Sequence, residues 1–286
     1  MNSKGVIVVG SLHYDIFVQS SHLPKAGEIV VGNDWYPKLG GKGGNQAIAA
    51  SEYGCFTKII SVVGDDTFGK YMLDKINLTN VNTDDIQINN KYNSGMSVAL
   101  SDSEGEYGAV IVSGANFHIK PEIFKSLKIW ENCKILMIQN EIDENTNIAA
   151  ATNAKLNGLK VCLNASPPKK IISRLIDNID ILIVNTIEAE YLSQEKITSL
   201  EEAKNISKKL SDIYKTVIIT SGGKGVTACK KNDSPFHIPA LNVKVNSTHG
   251  AGDVFAGTLC AALAADLNLL DAITLSNEKA GFHIAK

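Results

Sequence analysis

The chain has 286 residues, of which 44% are hydrophobic and 20% charged, and its formal net charge is −2. That length can bury a sizeable core in one large domain or two ordinary ones. The near-zero charge argues against a nucleic-acid partner or an anionic membrane surface. Five scattered cysteines without a Cys-x-x-Cys pair argue against a disulfide framework or a zinc site. They indicate reduced thiols and a cytoplasmic location.

The chain begins with an apolar run at Val6–Gly10, which is too short to span a membrane and lacks a signal-peptide cleavage pattern. We predict that it forms the first strand. Further strands are predicted at Thr57–Gly64, Lys134–Gln139, Lys160–Ser166, Ile181–Asn185 and Thr216–Gly223. Helical stretches between them include Asn45–Tyr53, Glu144–Leu156 and Leu200–Ile213. The alternation predicts an α/β fold with a mainly parallel sheet and helices on both faces.

Two segments interrupt this alternation with half-exposed strand patterns. The first is Ile16–Lys38, and the second, Ser94–Gly114, reads as two strands around a Glu104-Gly105 turn. Two such segments, far apart in sequence, are expected to pair into a small extra sheet. A small sheet attached to an α/β core is a candidate lid over an active site.

The stretch LGGKGGNQA, beginning at Leu39, places four glycines around Lys42. One or two glycines are enough for a turn, so this number favours a ligand-binding loop over a simple turn. Lys42 and Asn45 would add directed donors, and Asn45 can also cap the following helix. The stretch is not a phosphate-binding loop of the Walker A type, because Gly41-Lys42 is followed by glycine rather than serine or threonine.

Two motifs near strand ends each allow two interpretations. Asn185 and Glu188, three residues apart, could form a helix cap or help to hold a hydrated Mg²⁺. The stretch Thr220–Gly225 could be a turn between strands or a glycine-rich edge along a nucleotide.

Asp253 follows Gly250-Ala251-Gly252 and opens an apolar, helix-like run. The N-terminus of a helix offers unpaired backbone amides and favours an anion. Asp253 could be an ordinary helix cap or a catalytic group. Asp15 follows the first strand, where open α/β sheets hold ligand groups.

The order of these motifs resembles the ribokinase family of carbohydrate kinases, also called the PfkB family. The resemblance runs from about Val6 to the C-terminus, and its most specific marks are GGKGGNQA and GAGDVFAG. It implies a single kinase domain over residues 1–286 with a three-layer α/β/α core. A β-sheet lid is expected from about residues 12–38 and 92–114, and the family often uses this lid as a dimer contact.

The resemblance implies phosphoryl transfer from ATP, with Mg²⁺, to the hydroxymethyl group of a small furanose-type sugar. Asp253 matches the catalytic base, and the amides of Gly250, Ala251 and Gly252 match an anion hole. Sugar-contacting positions are matched by His13, Asp15, Gly41, Lys42, Gly43, Asn45 and Glu141. Positions on the side of ATP and Mg²⁺ are matched by Asn185, Glu188, Thr220, Gly222, Gly223, Gly225, Gly252 and Asn277.

Some positions depart from the family pattern. His13 stands where ribokinases commonly have Asn, and Ser247 stands where an acid helps to hold K⁺. A hydroxyl is a weaker cation ligand than a carboxylate, which argues against K⁺ activation even though the carbonyl of His249 could still contribute. The chain also ends at Lys286, where the family usually continues with residues that close the adenine pocket.

Three functions follow from the sequence. The favoured one is an ATP-dependent kinase of a ribose-like sugar, binding sugar and ATP and forming a homodimer through the lid. A nucleoside kinase of the same family is the second, since His13 replaces an expected polar contact. The third is a sugar- or nucleotide-binding protein without catalysis, which the altered cation position would suit and Asp253 argues against.

Overall fold

The computed structural model describes residues 5–102 and 107–286. Within these ranges the strands are β1 (Gly5–Val9), β2 (His13–Gln19), β3 (Asp34–Gly40), β4 (Thr57–Gly64), β5 (Val81–Asn82), β6 (Ile86–Asn89), β7 (Met96–Ser101), β8 (Tyr107–Val112), β9 (Cys133–Gln139), β10 (Lys160–Asn164), β11 (Ile181–Asn185), β12 (Thr216–Thr220), β13 (Val226–Lys230) and β14 (Phe236–Ile238). The helices are α1 (Lys42–Glu52), α2 (Thr67–Ile76), α3 (Glu144–Leu156), α4 (Ser173–Ile176), α5 (Thr186–Ser193), α6 (Leu200–Tyr214), α7 (Ala251–Ala264) and α8 (Leu269–Ile284). No helix in these ranges has the length and apolar character that a membrane crossing requires.

The large sheet has the strand order β14-β13-β12-β11-β10-β9-β1-β4-β5, with β6 also paired to β4. The pairs from β12 through β9 and β1 to β4, β5 and β6 are parallel, whereas β13 and β14 add antiparallel strands at one edge. The chain passes from β1 to β4 on one side and later returns to β9 on the other. Open α/β sheets bind ligands beyond the carboxyl ends of the strands at such a reversal.

Side chains of the central strands alternate between two separate cores. Val6 and Val8 of β1 pack with α1, α2, α7 and α8, whereas Ile7 and Val9 pack with α3 to α6. Each such aliphatic side chain contributes about 1.5–3 kcal/mol by leaving water. Helices therefore cover both faces of the sheet, which confirms the predicted three-layer α/β/α core.

A second, smaller sheet, which we call the lid after its predicted role, has the strand order β3-β2-β7-β8. Strands β2 and β7 pair in parallel, and the other two pairs are antiparallel. The two interrupting segments thus pair as expected. The predicted turn at Glu104-Gly105 lies outside the described residues.

Two local predictions are wrong. Helix α1 begins at Lys42 rather than at Asn45, so Asn45 lies inside the helix and does not cap it. Gly41 has a φ of +87°, which lets the chain turn directly from β3 into the helix. The strand predicted to reach Gly223 ends at Thr220, because Gly222 (φ +52°) to Lys224 form a 3₁₀ turn.

Candidate active site

Asp15 and Ser97 are neighbours on one face of the lid. Ser97 Oγ donates a hydrogen bond to Asp15 Oδ1 at 2.5 Å. Burial raises the pKa of Asp15, and this effect outweighs the hydrogen bond from Ser97 and the proximity of His13, which act in the opposite direction. A Cβ on Gly40 would lie 1.7 Å from Asp15 Oδ2, so the glycine makes room for the carboxylate.

His13 lies at the base of the lid, two residues before Asp15, and is 2% exposed. Its Nε2 atom has no hydrogen-bond partner. A buried polar atom without a partner is costly in free energy. The structure therefore encloses the Nε2 atom of this predicted sugar-contacting residue without giving it a partner.

Glu141 follows β9 and links the start of α1 to the segment after β1 through two hydrogen bonds. Its Oε2 atom accepts hydrogen bonds from Ser11 Oγ at 2.5 Å and from the Lys42 backbone amide at 2.9 Å. Gly43 packs against the same segment, since a Cβ there would lie 2.6 Å from the backbone of Gly10 and Ser11. The structure thus brings Gly41, Lys42, Gly43 and Glu141, four of the predicted sugar-contacting residues, to the carboxyl ends of β1 and β9.

Asp253 lies in the first turn of α7 and is 7% exposed. Its Oδ2 atom accepts a hydrogen bond from Asn45 Nδ2 at 3.0 Å, and its Oδ1 atom accepts one from Gln46 Nε2 at 2.9 Å. Both donors are on α1, beside the glycine-rich loop. The carboxylate is therefore held between two neutral amide donors.

Lys42 lies within the electrostatic field of three carboxylates. Burial by itself would lower the pKa of Lys42, but the charges of Asp253, Glu141 and Glu188 outweigh burial and raise it. The ammonium group is therefore retained at neutral pH. It supplies a positive charge close enough to these three carboxylates to interact with each of them.

The N-terminus of α7 begins at Gly250, whose φ of +77° is in the left-handed region. The Ala251 amide donates a hydrogen bond to the Thr248 carbonyl at 3.3 Å, so this one of the three predicted anion-hole amides already has an acceptor. A Cβ on Gly252 would meet nothing within 4 Å. The first turn of a helix has amides without acceptors inside the helix, and here it faces open space beside Asp253.

Asn185 and Glu188 form a complete capping box at the start of α5. The Glu188 amide donates to Asn185 Oδ1 at 2.9 Å, and the Asn185 amide donates to Glu188 Oε2 at 2.8 Å. The helix-cap interpretation of this motif is therefore correct. Glu188 is buried, yet its charge acts on Lys42.

The remaining positions predicted for the nucleotide side lie at the end of β12, in the turn that follows it and on α8. Thr220 is the register partner of Asn185 across β11 and β12. Gly222 and Gly223 follow in the 3₁₀ turn, and a Cβ on either would meet nothing within 4 Å. Asn277 of α8 donates from Nδ2 to the Pro239 carbonyl at 2.8 Å.

The two candidate K⁺ ligands already have partners within the chain. Ser247 Oγ accepts a hydrogen bond from the His249 amide at 3.3 Å. The His249 carbonyl lies 2.9 Å from His283 Nε2. The His249 ring contacts Phe17 of the lid edge-on, and burial, followed by the charge of Lys38, lowers the pKa of His249.

Four residues of the site were missed from the sequence. Ser11 and Ser97 hold Glu141 and Asp15, and Gln46 with Asn164 lies behind Asp253. Gln46 is part of the GGKGGNQA motif, so its position beside Asn45 was a usable signal. The partners of the other three are distant in sequence, and no local pattern marks them.

The chain is similar to known sugar kinases over nearly its whole length. The family model described as "pfkB family carbohydrate kinase" matches residues 3–286. Ribokinase of Haemophilus influenzae is 30% identical, with 99% of this chain and 93% of that protein covered. Ribokinase of Lactococcus lactis is 32% identical, with 95% and 87% covered.

Among solved structures, that of Arabidopsis thaliana ribokinase complexed with ribose and ATP matches with a TM-score of 0.90. It is 26% identical, and the match covers 98% of this chain and 92% of that one. The fold, the order of the motifs and the matched length agree. The chain therefore belongs to the pfkB family of carbohydrate kinases and is an ATP-dependent sugar kinase.

Proposed function

We propose that the protein transfers the γ-phosphoryl group of ATP to the hydroxymethyl group of a ribose-like furanose sugar. The observation that carries this proposal is the Asp253 carboxylate, held by Asn45 and Gln46 at the N-terminus of α7. The similarity to ribokinases along nearly the whole chain supports ribose as the substrate class. So does the structure of the Arabidopsis thaliana enzyme with ribose and ATP.

In the proposed reaction, Asp253 accepts the proton of the sugar hydroxymethyl group. The freed oxygen forms a bond to the γ-phosphorus, while the bond to the bridging oxygen breaks and ADP leaves. Lys42 and the amides at the start of α7 stabilise the charge on the transferred group. Asp15, Glu141 and the glycine-rich loop of α1 hold the sugar hydroxyls, so that the reacting oxygen is already oriented.

Asn185 and Glu188 would hold Mg²⁺ beside the ATP phosphates. The fit is chemical: Mg²⁺ prefers oxygen ligands, keeps several waters and needs only one or two carboxylates, and Glu188 supplies a buried carboxylate. When bound with ATP, Mg²⁺ neutralises charge on the phosphate oxygens. Ser247 and His249 suit K⁺ less well, because a hydroxyl and a backbone carbonyl are weaker cation ligands than the carboxylate that the family pattern has in place of Ser247.

A homodimer through the lid is part of the proposal. The lid face opposite Asp15 is apolar, because the register sets Ile16, Val98 and Val110 side by side across three strands. Val110 is 68% exposed. An apolar sheet face of this kind suits a second copy of the same face. Val110→Asp is expected to convert a dimer into a monomer in sedimentation velocity, and an unchanged mass would contradict this contact.

The cysteines bear on the proposed location. All five are buried as free thiols. Reduced thiols of this kind are typical of a reducing compartment. This supports the cytoplasmic location expected from the sequence.

The test of the proposed function is a panel of ribose, deoxyribose, other pentoses and adenosine with ATP and Mg²⁺, with ADP formation as the readout. We expect ribose to give the highest kcat/KM. Asp253→Asn should lower kcat by about 10³-fold, within the range for loss of a general base. Turnover of adenosine without turnover of ribose would favour a nucleoside kinase. Wild-type kcat in Asp253→Asn would show that the base is another residue.

A further inference from the structure

A buried chain of amide side chains lies behind Asp253. Gln46 of α1 is 0% exposed, and its Nε2 atom donates to Asp253 Oδ1 and to Asn164 Oδ1, both at 2.9 Å. A side-chain amide nitrogen has two N–H donors. Gln46 therefore uses both donors, one in the hydrogen bond to the Asp253 carboxylate and one in the hydrogen bond to Asn164 of β10.

The backbone fixes the donor-to-acceptor direction of these hydrogen bonds. Asn164 Nδ2 donates to the Ile183 carbonyl at 3.2 Å. A carbonyl only accepts hydrogen bonds, so Asn164 presents its oxygen to Gln46, and Gln46 presents its nitrogen to Asp253. In the observed orientation Gln46 Oε1 has no hydrogen-bond partner. A rotated amide would lose both donated hydrogen bonds and set its oxygen against two acceptors, at a further cost of about 1–3 kcal/mol for each group left unpaired.

Close packing of the two helices holds these partners at hydrogen-bonding distance. Gly257 of α7 lies one turn after Asp253, and a Cβ there would lie 2.3 Å from the Gln46 carbonyl oxygen and 3.0 Å from the Ala50 amide. The backbones of α1 and α7 therefore touch at this point. The short side chain of Asp253 can reach Gln46 because no larger residue separates the helices.

We propose that Gln46 is a positioning residue that holds the Asp253 carboxylate in the orientation that accepts the substrate proton, with Asn164 and the Ile183 carbonyl as its anchor. The inference rests on the proposed function. A carboxylate has about four acceptor sites on its two oxygens. The contacts from Asn45 and Gln46 therefore leave acceptor capacity for the hydroxyl of the sugar.

The test is Gln46→Met, which keeps the length of the side chain and removes both donors. We expect kcat to fall about 10- to 100-fold, because a displaced catalytic group costs up to about 100-fold. The KM values for the sugar and for ATP should stay within about twofold, since Gln46 is fully buried behind Asp253. Asn164→Ala should give the same separation of kcat from KM with a smaller fall in kcat, about 3- to 10-fold, because Gln46 then loses its anchor but keeps its donors.

The matched control is Ser51→Ala. Ser51 is also a buried polar residue of α1, but its hydroxyl donates only to the Ile48 carbonyl, at 2.8 Å. This variant should keep the wild-type kcat and KM.

Three outcomes would overturn the inference. The first is a wild-type kcat in Gln46→Met, and the second is a parallel loss of kcat and of sugar affinity measured by calorimetry. If Gln46→Met does not fold by circular dichroism, an unchanged kcat in Asn164→Ala is the third. A wild-type protein that phosphorylates no sugar would overturn the proposed function itself, and with it this role of Gln46.

Discussion

The proposed sugar side and the proposed nucleotide side of the site are built in different ways. On the sugar side, buried carboxylates are held by partners that are distant in sequence, such as Ser97 for Asp15 and Ser11 for Glu141, 82 and 130 residues apart. On the nucleotide side, Asn185 and Glu188 satisfy each other within one helical turn. Gly222 and Gly223, on that same side, face open space.

The geometry of one side therefore depends on the whole fold, whereas the geometry of the other depends on a local segment. The sugar side is assembled from the lid, α1 and the end of β9, so its geometry exists only when these elements are packed together. The capping box would form in any helix that begins with this sequence. A substitution on the proposed sugar side is therefore expected to change both stability and sugar binding. A substitution on the proposed nucleotide side is expected to change ligand binding with little effect on stability.

The largest expected effect comes from adding one methyl group to Gly43, on the proposed sugar side. Alanine usually stabilises a helix relative to glycine by about 1 kcal/mol. At Gly43, however, the new Cβ would lie 2.6–2.7 Å from backbone atoms of Gly10 and Ser11, which cannot move away easily. We expect Gly43→Ala to lower the free energy of unfolding by about 1–3 kcal/mol and to raise the sugar KM at least about 10-fold.

Gly223→Ala is the matched control, because its Cβ would meet nothing within 4 Å. Its free energy of unfolding should stay within about 0.5 kcal/mol of the wild type. Urea unfolding and steady-state kinetics measure both variants. Equal losses of stability in the two variants would remove the distinction between the two sides.

The same distinction explains which features of the fold and of the site can be predicted from the sequence alone. Apolar runs and their spacing predict the strands of the large sheet, and Asn185 to Glu188 can be recognised as a cap from four residues. The sugar-side hydrogen bonds cannot be predicted in this way, because Ser97 is one of several serines in a hairpin until the register sets it opposite Asp15. The start of α1 was missed for a similar reason, since it depends on the left-handed conformation of Gly41.

A smaller effect is expected at Glu188, where the cap and the proposed Mg²⁺ contact can be separated. Gln can still accept the Asn185 amide, so Glu188→Gln should change the free energy of unfolding by less than about 1 kcal/mol. It removes the negative charge that Mg²⁺ prefers. We expect kcat at limiting Mg²⁺ to fall about 10-fold, with a higher Mg²⁺ concentration needed for half-maximal activity.

Glu188→Ala provides the contrast, because it also removes the acceptor of the Asn185 amide and should cost about 1 kcal/mol of stability, although Asn185 still caps the helix. Thermal unfolding and Mg²⁺ titrations of activity compare the two variants. A Glu188→Gln enzyme with an unchanged Mg²⁺ requirement would limit Glu188 to a structural role.

The smallest expected change in stability is at Asp15, where substitution by asparagine is expected to stabilise the protein rather than destabilise it. Burial raises its pKa above 3.8, so the folded protein binds this proton more tightly than the unfolded chain does. The resulting stability is fully present below pH 3.8 and is lost as the pH rises through the raised pKa. Asp15→Asn removes the buried charge and should therefore unfold at a higher temperature than the wild type at pH 7, by an amount equivalent to about 0.5 kcal/mol. The gain should shrink toward pH 4.

Asp66 is the control for this sign, since it is also an aspartate near the lid but has a lowered pKa. Burial acts to raise that pKa, but hydrogen bonds from the amides of Ser94 and Gly69 outweigh it. Asp66→Asn should therefore be less stable than the wild type at pH 7, and this loss should largely persist at pH 4, because it disappears only as the pH falls below 3.8 through the lowered pKa. Thermal unfolding at the two pH values distinguishes the two variants. A destabilised Asp15→Asn at pH 7 would mean that the hydrogen bond from Ser97 outweighs burial, and that the sugar side is held as favourably as the nucleotide side.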